Sequence, residues 1–346
     1  MFGRDVNRIK FVMNTLSTPP RCSAGHAPVR RPGSMRRTSS IDVSWPEGLA
    51  GNRRLAGRAR DVVTRQSGGA PILRAEDSFE AVIDPNRMIV AIAAEPARPA
   101  LSRLVGERGG GHLREVLENV IPEERCNATP LYLILDDISG VSLVSSWAWS
   151  QWNPEWLATA RAAMQGTDVE KYLRNRVGIC TGFAPGSSAF DLQVDRSGAA
   201  RAPDLRNPDD PEGWHAFTHQ EGRPGMRRAR RIDVWVDGDI VIDSAFQDSA
   251  STPEGDRAVV HEYRLTATAD PKTFRLKSIE AEPRVLPFVE CPGAALNVSR
   301  LVGTEMSRLR ETVLAELKGT AGCTHLNDAL RALAEVPALV KGDLRQ

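Results

Sequence analysis

Met226-Arg227-Arg228-Ala229-Arg230-Arg231-Ile232-Asp233-Val234 repeats, with few changes, an earlier stretch, Met35-Arg36-Arg37-Thr38-Ser39-Ser40-Ile41-Asp42-Val43. The likeness continues downstream. Asp84-Pro85 is answered by Asp270-Pro271, and Ala94-Glu95-Pro96 by Ala281-Glu282-Pro283. Ser102-Arg103-Leu104-Val105-Gly106 is answered by Ser299-Arg300-Leu301-Val302-Gly303, and Leu113-Arg114-Glu115 by Leu309-Arg310-Glu311. Cys126 then falls close to where Cys323 does. The constant order at a nearly constant offset predicts two diverged copies of one module.

The chain divides accordingly. Residues 1–33 carry six basic side chains against the single acid Asp5 and no apolar stretch of signal-peptide length, which predicts a disordered basic tail. Residues 34–166 are the first copy, ending in a Trp-rich stretch, and residues 223–346 the second. Residues 167–222, rich in Pro, Gly, Asp and Arg, are expected to form a linker or long loop.

The second copy gives the clearer local pattern. Ile232, Val234 and Val236 alternate as in a strand; Asp237-Gly238 turns, and Ile240 to Phe246 returns. Tyr263, Leu265, Ala267 and Ala269 alternate again, and Phe274 to Ile279 follows as a further strand. The period then changes. Met306, Leu309, Val313, Leu314 and Leu317 share a helical face with Gly319 as a stop, and Leu326, Ala329, Leu330 and Leu333 define a last helix. Strands followed by helices predict an α+β fold, an antiparallel sheet with helices on one face. On this reading Arg227 to Arg231 belongs to a solvated sheet edge protected by charge.

Bulk properties exclude several functions. The 346 residues have a net charge of +1, so no global field draws nucleic acid or an anionic membrane. No apolar run suggests a membrane span. Cys22, Cys126, Cys180, Cys291 and Cys323 are too few and irregular for a disulfide framework, which points to a reducing, cytoplasmic setting. Gly109-Gly110-Gly111 lacks the Lys-Ser/Thr of a phosphate loop, and Cys180 in GICTGF stands in no nucleophile motif.

The copies differ in their polar groups. The segment carrying Cys291 has no counterpart in the first copy, Cys323-Thr324-His325 becomes Cys126-Asn127-Ala128, and His261 aligns near Ala75. Cys291 precedes Pro292, and Cys323 precedes the last helix. Both thiols are therefore expected at helix N-termini, where free N–H groups favour the thiolate. His261 opens a strand, and Asp243 and Asp248 lie on the preceding hairpin. His261, Cys291, Cys323 and His325 form a candidate metal set, for zinc or iron. A Cys-dependent enzyme with Cys323 as nucleophile or sulfur acceptor and His325 or His261 as base is a second reading. A non-catalytic interaction module is a third; its contact would be the cluster Trp147, Trp149, Trp152 and Trp156, residues that serve equally well as packing between the copies.

RRIDV, the Asp-Gly hairpin, Asp248, His261-Glu262, Asp270, Pro287-Phe288, Cys291, Leu301-Val302-Gly303 and Gly322-Cys323-Thr324-His325-Leu326 together resemble the bacterial family known as domain of unknown function 2889. The resemblance covers nearly all of the second copy. It departs where the family often has His-Thr-Arg and this chain has Arg228-Ala229-Arg230, and it carries no function to transfer. The order of strands, Cys291, helices and Cys323 is also similar to the iron–sulfur cluster scaffold fold. That likeness implies a metal or sulfur site at this end, with His261 standing in for a first cysteine.

Overall fold

The computed structural model describes residues 22–153, 155, 175–190, 200–218 and 222–343. Residues 1–21 of the expected tail and all of 156–174, Trp156 among them, lie outside the described residues.

Four antiparallel strands open the chain: β1 (Ser34–Ser44), β2 (Arg53–Thr64), β3 (Ile72–Ile83) and β4 (Ile89–Glu95). A 3₁₀ turn at Pro99–Leu104 leads to α1 (Leu113–Val120), α2 (Pro122–Cys126) and α3 (Pro130–Val144). After the short β5 (Ala200–Ala202), the order recurs. Strands β6 (Gly225–Asp237), β7 (Asp239–Ser251), β8 (Arg257–Ala269) and β9 (Leu276–Val285) precede a 3₁₀ segment, Cys291–Leu301, and the helices α4 (Leu309–Glu316), α5 (Thr324–Ala332) and α6 (Val336–Asp343). The expected α+β content, helices with an antiparallel sheet, is what the chain forms.

The strands make one continuous sheet in the order β4-β3-β2-β1-β6-β7-β8, with β9 and the short β5 both on the outer edge of β8. Its centre is the antiparallel pair β1–β6. Here Met35 faces Val234, Val43 faces Met226, and Ser39 faces Arg230, so the two similar stretches lie against one another head to tail. The ion pairs follow the same arrangement: Arg36 Nε meets Asp233 Oδ1 at 2.6 Å, and Arg227 Nε meets Asp42 Oδ1 at 2.6 Å. Smaller features also recur. A bulge follows the Asp61–Ala75 pair in one half and the Asp248–His261 pair in the other. Arg87 and Phe274, each closing a turn opened by Asp84 or Asp270, take φ values of 70° and 55°.

The Arg227–Arg231 run is therefore not an edge. It lies on a central strand, and Arg227, Arg228, Arg230 and Arg231 are all buried. Alternation sends Arg228 and Arg230 toward the helices with Ile232 and Val234, and Arg227 and Arg231 toward the other face. Buried guanidinium groups persist only when paired, and each has a carboxylate: Asp42 for Arg227, Asp248 for Arg228, Asp137 for Arg230, Asp243 for Arg231. The charge density suggests exposure because Asp42 and Asp137 come from the other half of the chain, and Asp243 and Asp248 from the facing strand of the hairpin.

The second face is covered by segments expected to be loose. Trp214 and Phe217, from 167–222, pack on Ala229 with Ala27. His215 is buried between Thr38 and Ser40, its Nε2 2.7 Å from Ser40 Oγ. Within the expected tail, Arg30 pairs with Asp210 at 2.8 Å. Residues 22–33 thus form part of the packed protein.

The helical face carries two apolar cores, each with a few residues from the other half. One gathers Ile41, Val43, Leu55, Phe79, Leu117 and α3; the other gathers Ile232, Val234, Tyr263, Leu265, Leu309, Val313 and α5. Contrary to the expectation of no such run, Pro130–Gln151 is long and apolar enough to cross a membrane by length and composition; 78% of its apolar window is buried inside the protein. Leu314, expected on the buried face of its helix, is 48% exposed. Trp149 meets Trp45 edge-on at 5.9 Å, and Trp152 Nε1 donates to Ser251 O of β7 at 2.8 Å. Trp147 and Trp149 pack on a core that also holds Met226, Ala250 and Val260, so with Trp152 they lie where the two halves meet.

Candidate functional site

The site grows from the β7–β8 hairpin. Its register sets Asp248 directly opposite His261, just before the bulge. Strand alternation sends both side chains toward the helices, where α5 begins with Thr324 and places His325 in its first turn. The His261 and His325 rings stack at 3.5 Å, 17° from parallel. His261 Nδ1 lies 3.3 Å and His325 Nε2 3.8 Å from Asp248 Oδ2. Both nitrogens are buried without a hydrogen bond of proper geometry. One ligand atom from each residue falls within 4.8 Å of the other two, and no other set of three or more His, Cys, Asp or Glu does so among the described residues.

Protonation states suit coordination. Burial alone would raise the Asp248 carboxyl, but the Arg228 guanidinium and the approach of His261 outweigh it and hold the group far below the usual carboxylate range. Arg228 grips Asp248 with two parallel bonds, Nε to Oδ1 at 2.9 Å and Nη2 to Oδ2 at 3.0 Å. Burial, with His261 adjacent, drives His325 well below its ordinary value and keeps the imidazole neutral. An ionised carboxylate and a neutral imidazole are the ligating forms.

Behind Arg228 runs a buried ionic network. Its Nη1 reaches Asp328 at 3.0 Å; Arg230 holds Asp137 at 2.8 Å; Asp136 receives Arg310 at 2.7 Å and Arg331 at 3.3 Å; Arg37 joins Asp61 at 2.6 Å and Glu335 at 2.8 Å. Arg37–Asp61 in the first half occupies the strand positions that Arg228–Asp248 occupies in the second. The histidines have no such counterpart. Ala75 faces Asp61. In α3 the N-cap position is held by Thr129 and the second helical position by Leu131, where α5 has Cys323 and His325. Cys126 ends α2 and is exposed; the sequence had placed it at the position that Thr129 holds.

The cysteines lie apart from this triad. Cys323 at the start of α5 and Cys291 at the start of its 3₁₀ segment are both buried, as is Cys180. Neither Cys291 nor Cys323 joins His261 and His325 in a single set of mutually close ligand atoms; Asp248 takes that place. The hairpin register was the signal that could have found it, since it puts Asp248 across from His261.

Nor do the helix starts favour thiolates. Burial pushes Cys323 up to about 11, outweighing the Leu326 and His325 N–H groups that act the other way. Burial likewise raises Cys291 strongly. For the reading of Cys323 as nucleophile, the His325 ring is directed elsewhere: Nε2 toward Asp248, and Nδ1 3.3 Å from Thr324 Oγ1. Cys323 is therefore expected to alkylate more slowly at pH 7 than a small model thiol, with a rate still rising about tenfold per pH unit beyond pH 9. Iodoacetamide kinetics followed by peptide mapping measure this, and a rate plateau below pH 8 would contradict it.

Residues 226–339 match the model of a family described as "Protein of unknown function (DUF2889)". The span holds Arg228, Asp248, His261, Cys291, Cys323 and His325, while Cys180 and the first half lie outside it. No curated protein and no solved structure matches the chain.

Proposed function

We propose that the C-terminal half binds one divalent metal ion through Asp248, His261 and His325, and that the chain is two copies of one unit of which only the second carries the site. The observation behind the metal reading is that two buried imidazole nitrogens without hydrogen-bond partners converge on one ionised carboxylate oxygen. Leaving such groups unsatisfied costs about 1–3 kcal/mol each, and a metal ion would satisfy both. Two histidines and one carboxylate suit zinc or ferrous iron and leave coordination positions open. Arg228 would orient the carboxylate from outside the coordination shell. Support for the two-copy reading comes from the head-to-tail β1–β6 pairing and the matched Arg36–Asp233 and Arg227–Asp42 pairs. Ala75 and Leu131 at the histidine positions leave the first copy without the ligand set.

Chelator-treated protein titrated with zinc, and anaerobically with ferrous iron, is expected to take up one equivalent at this site. His261→Ala and His325→Ala should each weaken binding at least about tenfold while keeping the wild-type circular dichroism spectrum. Folded wild-type protein that takes up no stoichiometric metal would refute the reading, as would unchanged affinity in both variants.

A further inference from the structure

The strand pair that turns Asp248 and His261 toward the helices turns their neighbours, Gln247 and Glu262, to the second face, where the register again sets one opposite the other. Glu262 is 4% exposed. Every other buried carboxylate among the described residues stands in an ion pair with an arginine, and Glu262 stands in none. Three hydrogen bonds hold it instead. Ala24 N donates to Oε1 at 2.6 Å, Ser23 Oγ to Oε2 at 2.7 Å and Gln247 Nε2 to Oε2 at 3.0 Å. These bonds satisfy the oxygens as acceptors and leave the negative charge without a counter-ion, which a buried carboxylate ordinarily has.

Gln247 and Glu262 both line a cavity of about 240 Å³ between the sheet and residues 24–28. Ala27, Leu205, Trp214 and Ala229 supply its apolar wall. The two arginines that line it, Arg231 and Arg264, are both held by Asp243. A carboxylate has about four lone-pair sites; three are used here, and the open one is on Oε1. Only the nitrogen of the Gln247 amide can donate to Glu262, so the amide has one orientation and its Oε1 remains an acceptor. We infer that this cavity binds a small primary amine in its protonated form, with the ammonium group on Glu262 and Gln247 and the hydrocarbon body against Trp214 and Leu205. The inference goes beyond the metal reading and shares none of its ligands. An ammonium group brings three donors and the positive charge that Glu262 lacks. The cavity is smaller than those that take drug-sized molecules, which limits the body to a short chain or a single ring.

Phenethylamine and n-butylamine are the probes, and phenethyl alcohol and n-butanol their uncharged counterparts. Each is titrated at low ionic strength into the full chain after chelator treatment, so that no amine can coordinate a metal ion. Calorimetry or ligand-observed NMR is expected to show saturable one-site binding of at least one amine, at least about tenfold tighter than the matching alcohol, because a hydrogen bond to a charged partner contributes more than a neutral one. This comparison needs no substitution. Glu262→Gln keeps the shape of the side chain and removes its charge; it should abolish the preference for the amine while keeping the wild-type circular dichroism spectrum. Wild-type protein that binds neither amine, or binds amine and alcohol alike, overturns the proposal. So does a folded Glu262→Gln protein that retains the preference, and Glu262 would then serve only to fasten Ser23 and Ala24 to the sheet. Because the protein is metal-free throughout, each of these outcomes leaves the Asp248–His261–His325 reading untouched.

Discussion

Replacing Asp248 with alanine in metal-free protein is expected to lower unfolding free energy by about 3–5 kcal/mol, the cost of leaving a buried charge without its partner. Asp248 is 0% exposed and Arg228 1% exposed, so water cannot replace the lost carboxylate. Two charge-assisted bonds disappear at once, from Arg228 Nε and Nη2, and the guanidinium is left with Asp328 and the more distant Asp137. The double variant Asp248→Leu, Arg228→Met separates charge from shape. It removes both ions and replaces them with apolar volume, which often restores stability or exceeds it. Guanidinium unfolding of the three proteins, each stripped with chelator, measures the series. An Asp248→Ala protein within about 1 kcal/mol of wild type would mean that Arg228 is satisfied by its other acids, and that the pair contributes little.

The same pair marks the boundary of what could be read from the chain. Strand alternation, the Asp237-Gly238 turn and the helix after Cys323 are legible, because each depends on neighbours in sequence: β6, β7 and α5 lie where the pattern places them, although α5 is followed by a further helix, α6, and is not the last. The similarity of the two stretches is legible in the residues, but their pairing, Met35 against Val234 at the centre of one sheet, joins segments distant in sequence. Arg227 to Arg231 misled for the same reason. Asp42, Asp137, Asp243 and Asp248 are what make these arginines a buried feature, and two of those acids come from the other half. His261 and His325 were selected because the first half lacks them. Asp248 belongs to the family resemblance and Asp243 does not, but only the strand register puts Asp248 beside the histidines. Asp243 turns to the second face and meets Arg231 and Arg264, while Asp248 turns inward to the histidines.

Gly140 is the position where the network should reverse an ordinary rule. It lies within α3, where alanine normally stabilises a helix by about 1 kcal/mol relative to glycine. Here a Cβ would fall 1.9 Å from Arg228 Nη1, 2.6 Å from Asp328 Oδ2 and 2.8 Å from Arg228 Cζ. A guanidinium at the end of a free side chain would step aside at little cost. Arg228 cannot, because Asp248 holds it from the strand side while Asp137 and Asp328 hold it from the helices. Gly140→Ala must therefore shift α3 or break one of these pairs, and is expected to destabilise by about 2 kcal/mol or more instead of stabilising. Pairing it with Arg228→Met tests the cause. If the clash is with the guanidinium, the penalty of Gly140→Ala should shrink by at least half in the Arg228→Met background. An equal penalty in both backgrounds would assign the effect to packing of α3 elsewhere, and a stabilised Gly140→Ala protein would show that the ion pairs yield more readily than their burial implies.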